Sequence, residues 1–206
     1  MADFLNEQEQ VELIKHYWKK YGMVSMVTLL VVIFALSGWQ MWQKRAKESE
    51  SAASVDYQYL LQEFQAGESD KVNKIAQELM NKYPKTPYAG MAGLFLAEED
   101  LSNKQLALAD QHLSFAKDHL KNDLKSIAIL RLARLKIAEN QAKMALSLLE
   151  HPSHSFEALF EMTRGDAHLA LGEKEKAKAS YQSALAGSED LPPTLKTLLQ
   201  SKLSQI

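Results

Sequence analysis

Between Lys20 and Lys44 the chain carries no charged side chain, and apolar residues run almost unbroken from Met23 to Leu36. Beyond that gap the pattern changes to short amphipathic stretches separated by turn signals. Tyr21 to Trp42 supplies the ~20 residues that a bilayer core demands of one helix. Nine Val, Leu, Ile and Phe residues between Val24 and Leu36 contribute roughly −3 to −5 kcal/mol to insertion. Ser25, Thr28 and Ser37 offset only part of this, because a hydroxyl can return to the carbonyl one turn back. All three tryptophans lie at the ends of the run, Trp18 before it and Trp39 and Trp42 after it, with Tyr17 and Tyr21 beside the first. Trp18, Tyr21, Trp39 and Trp42 are therefore the expected interfacial anchors of a membrane helix over residues 21–43. A buried core helix would have no reason to place its aromatics at both ends. A cleaved signal sequence is the stronger rival, since Ala35-Leu36-Ser37 has small-x-small spacing. Apolar character past that site to Trp42, and the long leader, favour an anchor that is kept.

Residues 1–20 read as a short amphipathic segment, with Val11, Ile14 and Trp18 at helical spacing on one face. Glu7, Glu9 and Glu12 crowd its start and Lys15, Lys19 and Lys20 its end, which complements the helix dipole. That face can lie on a membrane surface or meet a partner, and membrane contact is the simpler reading. Three basic residues precede the span and three follow it (Lys44, Arg45, Lys47). Charge alone therefore leaves the orientation open.

From Glu48 onward Ala, Leu, Lys, Glu and Gln dominate and β-branched residues are few, a composition that favours helices. The breaks are regular. Gly67 and Tyr83-Pro84 each end a helix, and Thr86-Pro87 starts another as N-cap and first-turn proline. Asn122-Asp123, His151-Pro152-Ser153, Gly172 and Leu191-Pro192-Pro193 mark the later turns. About eight helices of roughly 10–18 residues follow, with connections short enough for antiparallel neighbours. The expected layout is a juxtamembrane helix over 44–66 and a helical domain over 67–206.

Composition narrows the function classes. With 24 basic and 26 acidic side chains in 206 residues, the chain lacks the basic surface that nucleic-acid binding needs. The balance is uneven: +2 over residues 1–47 and −4 over the remainder. No cysteine is present, which removes disulfides, thiolate metal sites, a cysteine nucleophile and S-lipidation.

The helical part repeats itself. Gly165, Gly172, Ala177, Tyr181 and Ala184 stand at the spacings of a tetratricopeptide helix–turn–helix, where small residues let paired helices approach and Tyr181 fills the space beside them. Arg164 and His168 depart from that pattern. Ala133, Asn140 and Ala145 form an upstream set, Ala97, Ala109, Leu113 and Ala116 another, and Gly67, Val72, Ala76 and Pro84 the weakest. Val72, Ala109, Ala145 and Ala177 are spaced so as to bracket the 34-residue tetratricopeptide period. The expected fold is all-α: an N-terminal transmembrane helix, then a tetratricopeptide-like α-solenoid of about four helix pairs and a C-terminal capping helix. A different helical bundle is the alternative that Ala and Leu spacing also permits.

The ordered combination of Glu7 to Gly22, the span with Gly38-Trp39-Gln-Met-Trp42, Tyr83-Pro84-Lys85-Thr86-Pro87, Leu130 to Arg134 and Gly165-Asp166 resembles the YfgM family of ancillary SecYEG translocon subunits. The resemblance covers essentially the whole chain. It implies an inner-membrane protein with a cytoplasmic N-terminus and a periplasmic tetratricopeptide domain. It also implies association with SecYEG and a PpiD-like periplasmic chaperone, and contact with exported polypeptides. The function expected is a non-enzymatic tethered scaffold with no cofactor. A regulatory tether whose cytoplasmic segment binds a stress-response regulator, or another envelope-assembly adaptor, is the alternative.

No residue constellation argues for catalysis. His151 and His154 are separated by Pro152 and lack a third ligand, while His112 and His119 suit a surface or a helix contact. Glu98-Glu99-Asp100 reads as a solvated face, and no phosphate loop, Gly-x-Ser-x-Gly or His-Glu-x-x-His occurs. A binding surface is the better expectation. In a solenoid the first helix of each pair lines the concave side. Aligning Ala97, Ala133 and Gly165 puts Leu94, Leu130 and Met162 there, with Glu98, Arg134 and Asp166 one turn on. The competing reading is that the apolar members are simply core.

Overall fold

The computed structural model describes residues 7–152, 154–186 and 192–206. All secondary structure among them is helical: α1 Glu7–Gln65, α2 Ser69–Lys82, α3 Pro87–Ser102, α4 Leu106–His119, α5 Asn122–Ala138, α6 Ala142–Leu148, α7 Glu157–Ala170, α8 Lys174–Ala186 and α9 Pro193–Ser204, with a 3-10 turn His154–Phe156 before α7. Ser153 and Leu191, each placed in a break by the sequence, lie outside the described residues, as do residues 1–6 and the side chains of Ile14 and His154. Two units make up the chain, residues 1–48 and 49–206.

In the first unit, the segments expected over 1–20 and 21–43 form one helix as far as they are described, and the same helix continues through 44–65. No proline precedes Pro84, and glycines are common within membrane helices, so nothing breaks it at Gly22 or Gly38. An 18-residue window of mean hydropathy 2.1 is only 6% buried. Ser25 Oγ donates to the Gly22 carbonyl at 3.0 Å and Thr28 Oγ1 to the Val24 carbonyl at 2.8 Å, so both hydroxyls are satisfied within the helix. At 1.5 Å per residue, Trp18 and Trp39 stand ~31 Å apart along the axis, the thickness of a hydrocarbon core. Both are more than half exposed, as is Trp42, and Tyr21 is half exposed. The rings of Trp39 and Trp42 lie 5.4 Å apart, centroid to centroid.

The second unit is a stack of four helix pairs closed by α9: the end of α1 with α2, then α3 with α4, α5 with α6, and α7 with α8. The repetition is literal at each turn. Gly67, Lys104, Asn140 and Gly172 have φ of 76, 58, 60 and 76°. The amide after each donates to a carbonyl five residues back: Glu68 to Glu63, Gln105 to Asp100, Gln141 to Lys136 and Glu173 to His168, all within 2.7–3.0 Å. This is the Schellman closure, which caps one helix and aims the chain into the next. Five residues past each left-handed residue comes a buried small one: Val72, Ala109, Ala145 and Ala177.

Packing within each pair is a matter of size compensation. Seven residues before the turn stand Leu60, Ala97, Ala133 and Gly165; nine after it stand Ala76, Leu113, Leu149 and Tyr181, all eight buried. Leu60 shares a core cluster with Ala76, Ala97 with Leu113, and Ala133 with Leu149. In the last pair a Cβ on Gly165 would lie 2.4 Å from Tyr181 Cε1. A large residue on one helix therefore meets a small one on its mate, which keeps the interior at close-packed density. Helix α6 is shorter than the length expected from sequence. It ends at Leu148, four residues ahead of Pro152, whose ring would clash with the Leu148 carbonyl if the helix ran on through it.

Lys104 is the one turn residue of the four that lacks the usual chemistry for a left-handed conformation. Lys104→Gly should stabilise the protein by about 0.5–1 kcal/mol by relieving the Cβ penalty, net of the freedom gained by the unfolded chain. Lys104→Val should destabilise it. Thermal melts of the full chain in detergent, followed by circular dichroism, read both signs.

Candidate functional site

A groove of about 610 Å³ lies on the first-helix side of the stack in the second unit. Three first helices wall it: α1 through Tyr57 and Phe64, α3 through Met91, Leu94 and Phe95, and α5 through Leu124 and Ile127. The turn after α1 and the start of α2 close one end with Gly67, Glu68 and Val72. The aromatic wall is ordered by edge-to-face contacts, Phe64 on Phe95 at 5.2 Å and Tyr57 on Phe95 at 6.3 Å. Such pairs contribute about 0.5–1.5 kcal/mol beyond area burial. Yet the wall is not sealed: Phe64 remains 57% exposed and Leu124 37%.

Carboxylates rim the groove. Glu98 accepts from Arg131 Nη1 at 3.3 Å, and Lys71 Nζ lies 3.1 Å from Glu63 and 3.9 Å from Glu68. The hydrogen bond to Glu63, then the charges of Glu63 and Glu68, hold the Lys71 ammonium above its ordinary pKa. Glu99 has no ion-pair partner among the described residues.

The residues aligned on the concave face from sequence separate into three environments. Leu94 and Glu98 line the groove. Leu130 and Met162 are 4% and 5% exposed and belong to the core, because α5 and α7 bury more than one face against their neighbours. Arg134 is exposed away from the lining, and the guanidinium in the groove is that of Arg131, one turn earlier. Asp166 is a structural acceptor: Tyr181 Oη and Lys202 Nζ both donate to its Oδ1, at 2.6 Å each, tying α7 to α8 and α9. Burial, and then the hydrogen bond to Asp166, push the Tyr181 phenol well above its ordinary value.

His112 and His119 serve structure. His112 Nδ1 meets Asp100 Oδ2 at 2.6 Å between α4 and α3, and His119 Nδ1 meets the Phe115 carbonyl at 2.8 Å. Lys136 Nζ lies 2.6 Å from Asp110 and 3.1 Å from Glu139, and the hydrogen bond to Asp110 is the main cause of its raised pKa. Among the described residues no three His, Asp or Glu side chains gather as a metal site would require.

The α1 wall and Arg131 are part of the groove that the repeat alignment on Ala97, Ala133 and Gly165 does not reach. Tyr57 stands as far before Gly67 as Leu94 stands before Lys104; extending the repeat alignment back through Leu60 recovers it. Leu124 and Ile127 carry no sequence signal that separates them from core residues.

Four stacked helix pairs, preceded in the chain by an exposed apolar N-terminal helix that fits membrane anchoring, define a helical-repeat protein. The chain belongs to the tetratricopeptide repeat-like domain family, whose model matches residues 15–206. It is similar along its full length to proteins named ancillary SecYEG translocon subunit. It is 28% identical to that of Escherichia coli (strain K12) over 208 residues, covering all of this chain and 99% of that one. It is 29% identical to that of Aggregatibacter actinomycetemcomitans over 208 residues, covering both chains entirely. The Haemophilus influenzae protein is 29% identical over 193 residues, 93% of this chain and 94% of that one. No solved structure matches. The family is not an enzyme family.

Proposed function

We propose that this protein is a non-enzymatic scaffold, held in the inner membrane by α1, that associates with the SecYEG translocon and presents its solenoid to polypeptides and chaperones on the far side. The observation that carries the reading is the full-length similarity to ancillary SecYEG translocon subunits, which takes in the apolar window of α1 as well as the repeats. In this reading residues 1–20 face the cytoplasm and the solenoid faces the periplasm, where a PpiD-like chaperone and exported chains are its partners. The groove, rather than any titratable constellation, is the working surface.

Purification of the full chain from mild detergent should bring down SecY together with a PpiD-like chaperone. In spheroplasts, added protease should degrade the solenoid while the outer membrane of intact cells protects it. Recovery of neither translocon nor chaperone, or a solenoid that resists protease until the inner membrane is opened, would overturn the reading.

A further inference from the structure

Resting on that scaffold reading, we infer that the groove between α1, α3 and α5 takes an extended polypeptide segment presenting a large apolar or aromatic side chain with a lysine or arginine close by in sequence. Three properties point to this ligand.

The first is the wall. Met91, Leu94, Phe95, Leu124 and Ile127 stand with Tyr57 and Phe64 around a space of about 610 Å³, within the roughly 300–1,000 Å³ typical of ligand sites. Phe64 and Leu124 hold apolar surface in water; covering it with an apolar side chain is the favourable step. Met91 adds a flexible thioether that adapts to more than one side-chain shape.

The second is length. The wall crosses three first helices in succession. With neighbouring axes roughly 8–10 Å apart, it extends on the order of 20 Å, which an extended chain covers in about six residues at ~3.3 Å each. A single small molecule would leave most of that length unfilled.

The third is charge. Three carboxylates, Glu68, Glu98 and Glu99, line the groove against one cation, Arg131, an excess of two negative charges. Lys71 is engaged by Glu63 and Glu68, and Arg131 by Glu98. Glu99 is left to meet an incoming cation. An acidic segment would meet repulsion from the same rim, so the charges discriminate as well as attract.

The test uses the full chain in nanodiscs and three fluorescein-labelled peptides in a Ser/Gly frame: one with Trp-Lys-Leu-Arg at its centre, one with Trp-Glu-Leu-Glu, and one with Ser-Lys-Ser-Arg. Fluorescence anisotropy should show the first binding roughly tenfold or more tightly than either of the others, with the preference over the acidic peptide shrinking at high salt. Glu68→Lys with Glu99→Lys should invert the preference between the basic and acidic peptides. Phe64→Ala with Leu124→Ala should weaken the Trp-containing peptides and leave their order unchanged. All four substitutions fall at exposed or rim positions; an unaltered helical circular dichroism spectrum shows that the fold is kept, with a small fall in melting temperature expected for Phe64→Ala from its lost contact with Phe95.

Equal affinity for the basic and acidic peptides, or a preference that survives the double charge reversal, would overturn the inference. Recovery of SecY with the same variants is read in parallel. Normal recovery alongside absent peptide selectivity defeats the inference and leaves the scaffold reading standing. Lost recovery from the unaltered chain defeats the scaffold reading whatever the peptides do.

Discussion

Tyr181→Ala should lower the stability of the solenoid by about 3–5 kcal/mol, the range for removing a fully buried aromatic side chain. Tyr181 is 0% exposed and packs with Met162, Ala177, Ala184 and Leu199, so its ring joins α7, α8 and the capping helix. Its hydroxyl adds a hydrogen bond to Asp166, which Lys202 also holds. Tyr181→Phe keeps the ring and should cost about 1.5–3 kcal/mol, the loss of a hydrogen bond to a charged group. The pH dependence separates the two contributions. Because folding raises the phenol pKa, the folded state holds the proton more tightly than the unfolded state. The associated stability is therefore complete below the ordinary phenol value near ~10 and falls as pH rises past it. Melting temperatures should drop above that point in the unaltered protein, and less steeply in Tyr181→Phe. Identical slopes would mean the phenol is not protected by folding.

Gly165→Leu should be comparably damaging. Even a Cβ at this position lies 2.4 Å from the Tyr181 ring, and that ring is packed from behind and cannot swing away. Overpacking of this kind typically costs about 1–3 kcal/mol, with leucine at or beyond the upper end. Gly165→Ala should still destabilise, although alanine gains up to ~1 kcal/mol over glycine in a helix interior. Lys176→Ala is the control, since its pairing with Glu173 is exposed and such pairs contribute ~0–1 kcal/mol. Equal melting temperatures for Gly165→Leu and Lys176→Ala would contradict the paired-helix packing.

These two positions also show what was legible in the sequence. The last repeat announced itself because Gly165, Ala177 and Tyr181 are each unusual: a small residue where helices must touch, and a large one that fills the space. The first repeat was the faintest because the same complementarity is reversed there, with Leu60 large and Ala76 small, a pair that reads as ordinary helix composition. Turn chemistry behaved likewise. Gly67, Asn140 and Gly172 are residues that tolerate positive φ, whereas Lys104 adopts the same conformation under the control of the stack around it.

The candidate surface was half legible for a related reason. Periodicity places a residue on a helix face but does not tell which face a neighbouring pair will cover. Leu94 and Leu130 are equivalent in the repeat, yet Leu94 lines the groove while Leu130 is closed into the core by α6 and α7. The difference arises from the neighbouring pairs, which no local pattern reports. The membrane helix was the most legible part, because its signal depends on composition and length and on no tertiary partner.

Site-specific photo-cross-linking in living cells tests most directly the proposed association with the translocon, with α1 as the contact expected of a membrane-held scaffold. A photoreactive residue is placed in turn at Val27, Val31 and Phe34, all exposed on α1, and at Lys178 on the solenoid surface as a control. Adducts with SecY, SecE or SecG are expected from α1 positions that share one helical face, and none from Lys178. Adducts solely with unrelated membrane proteins, or none from any position on α1, would contradict it.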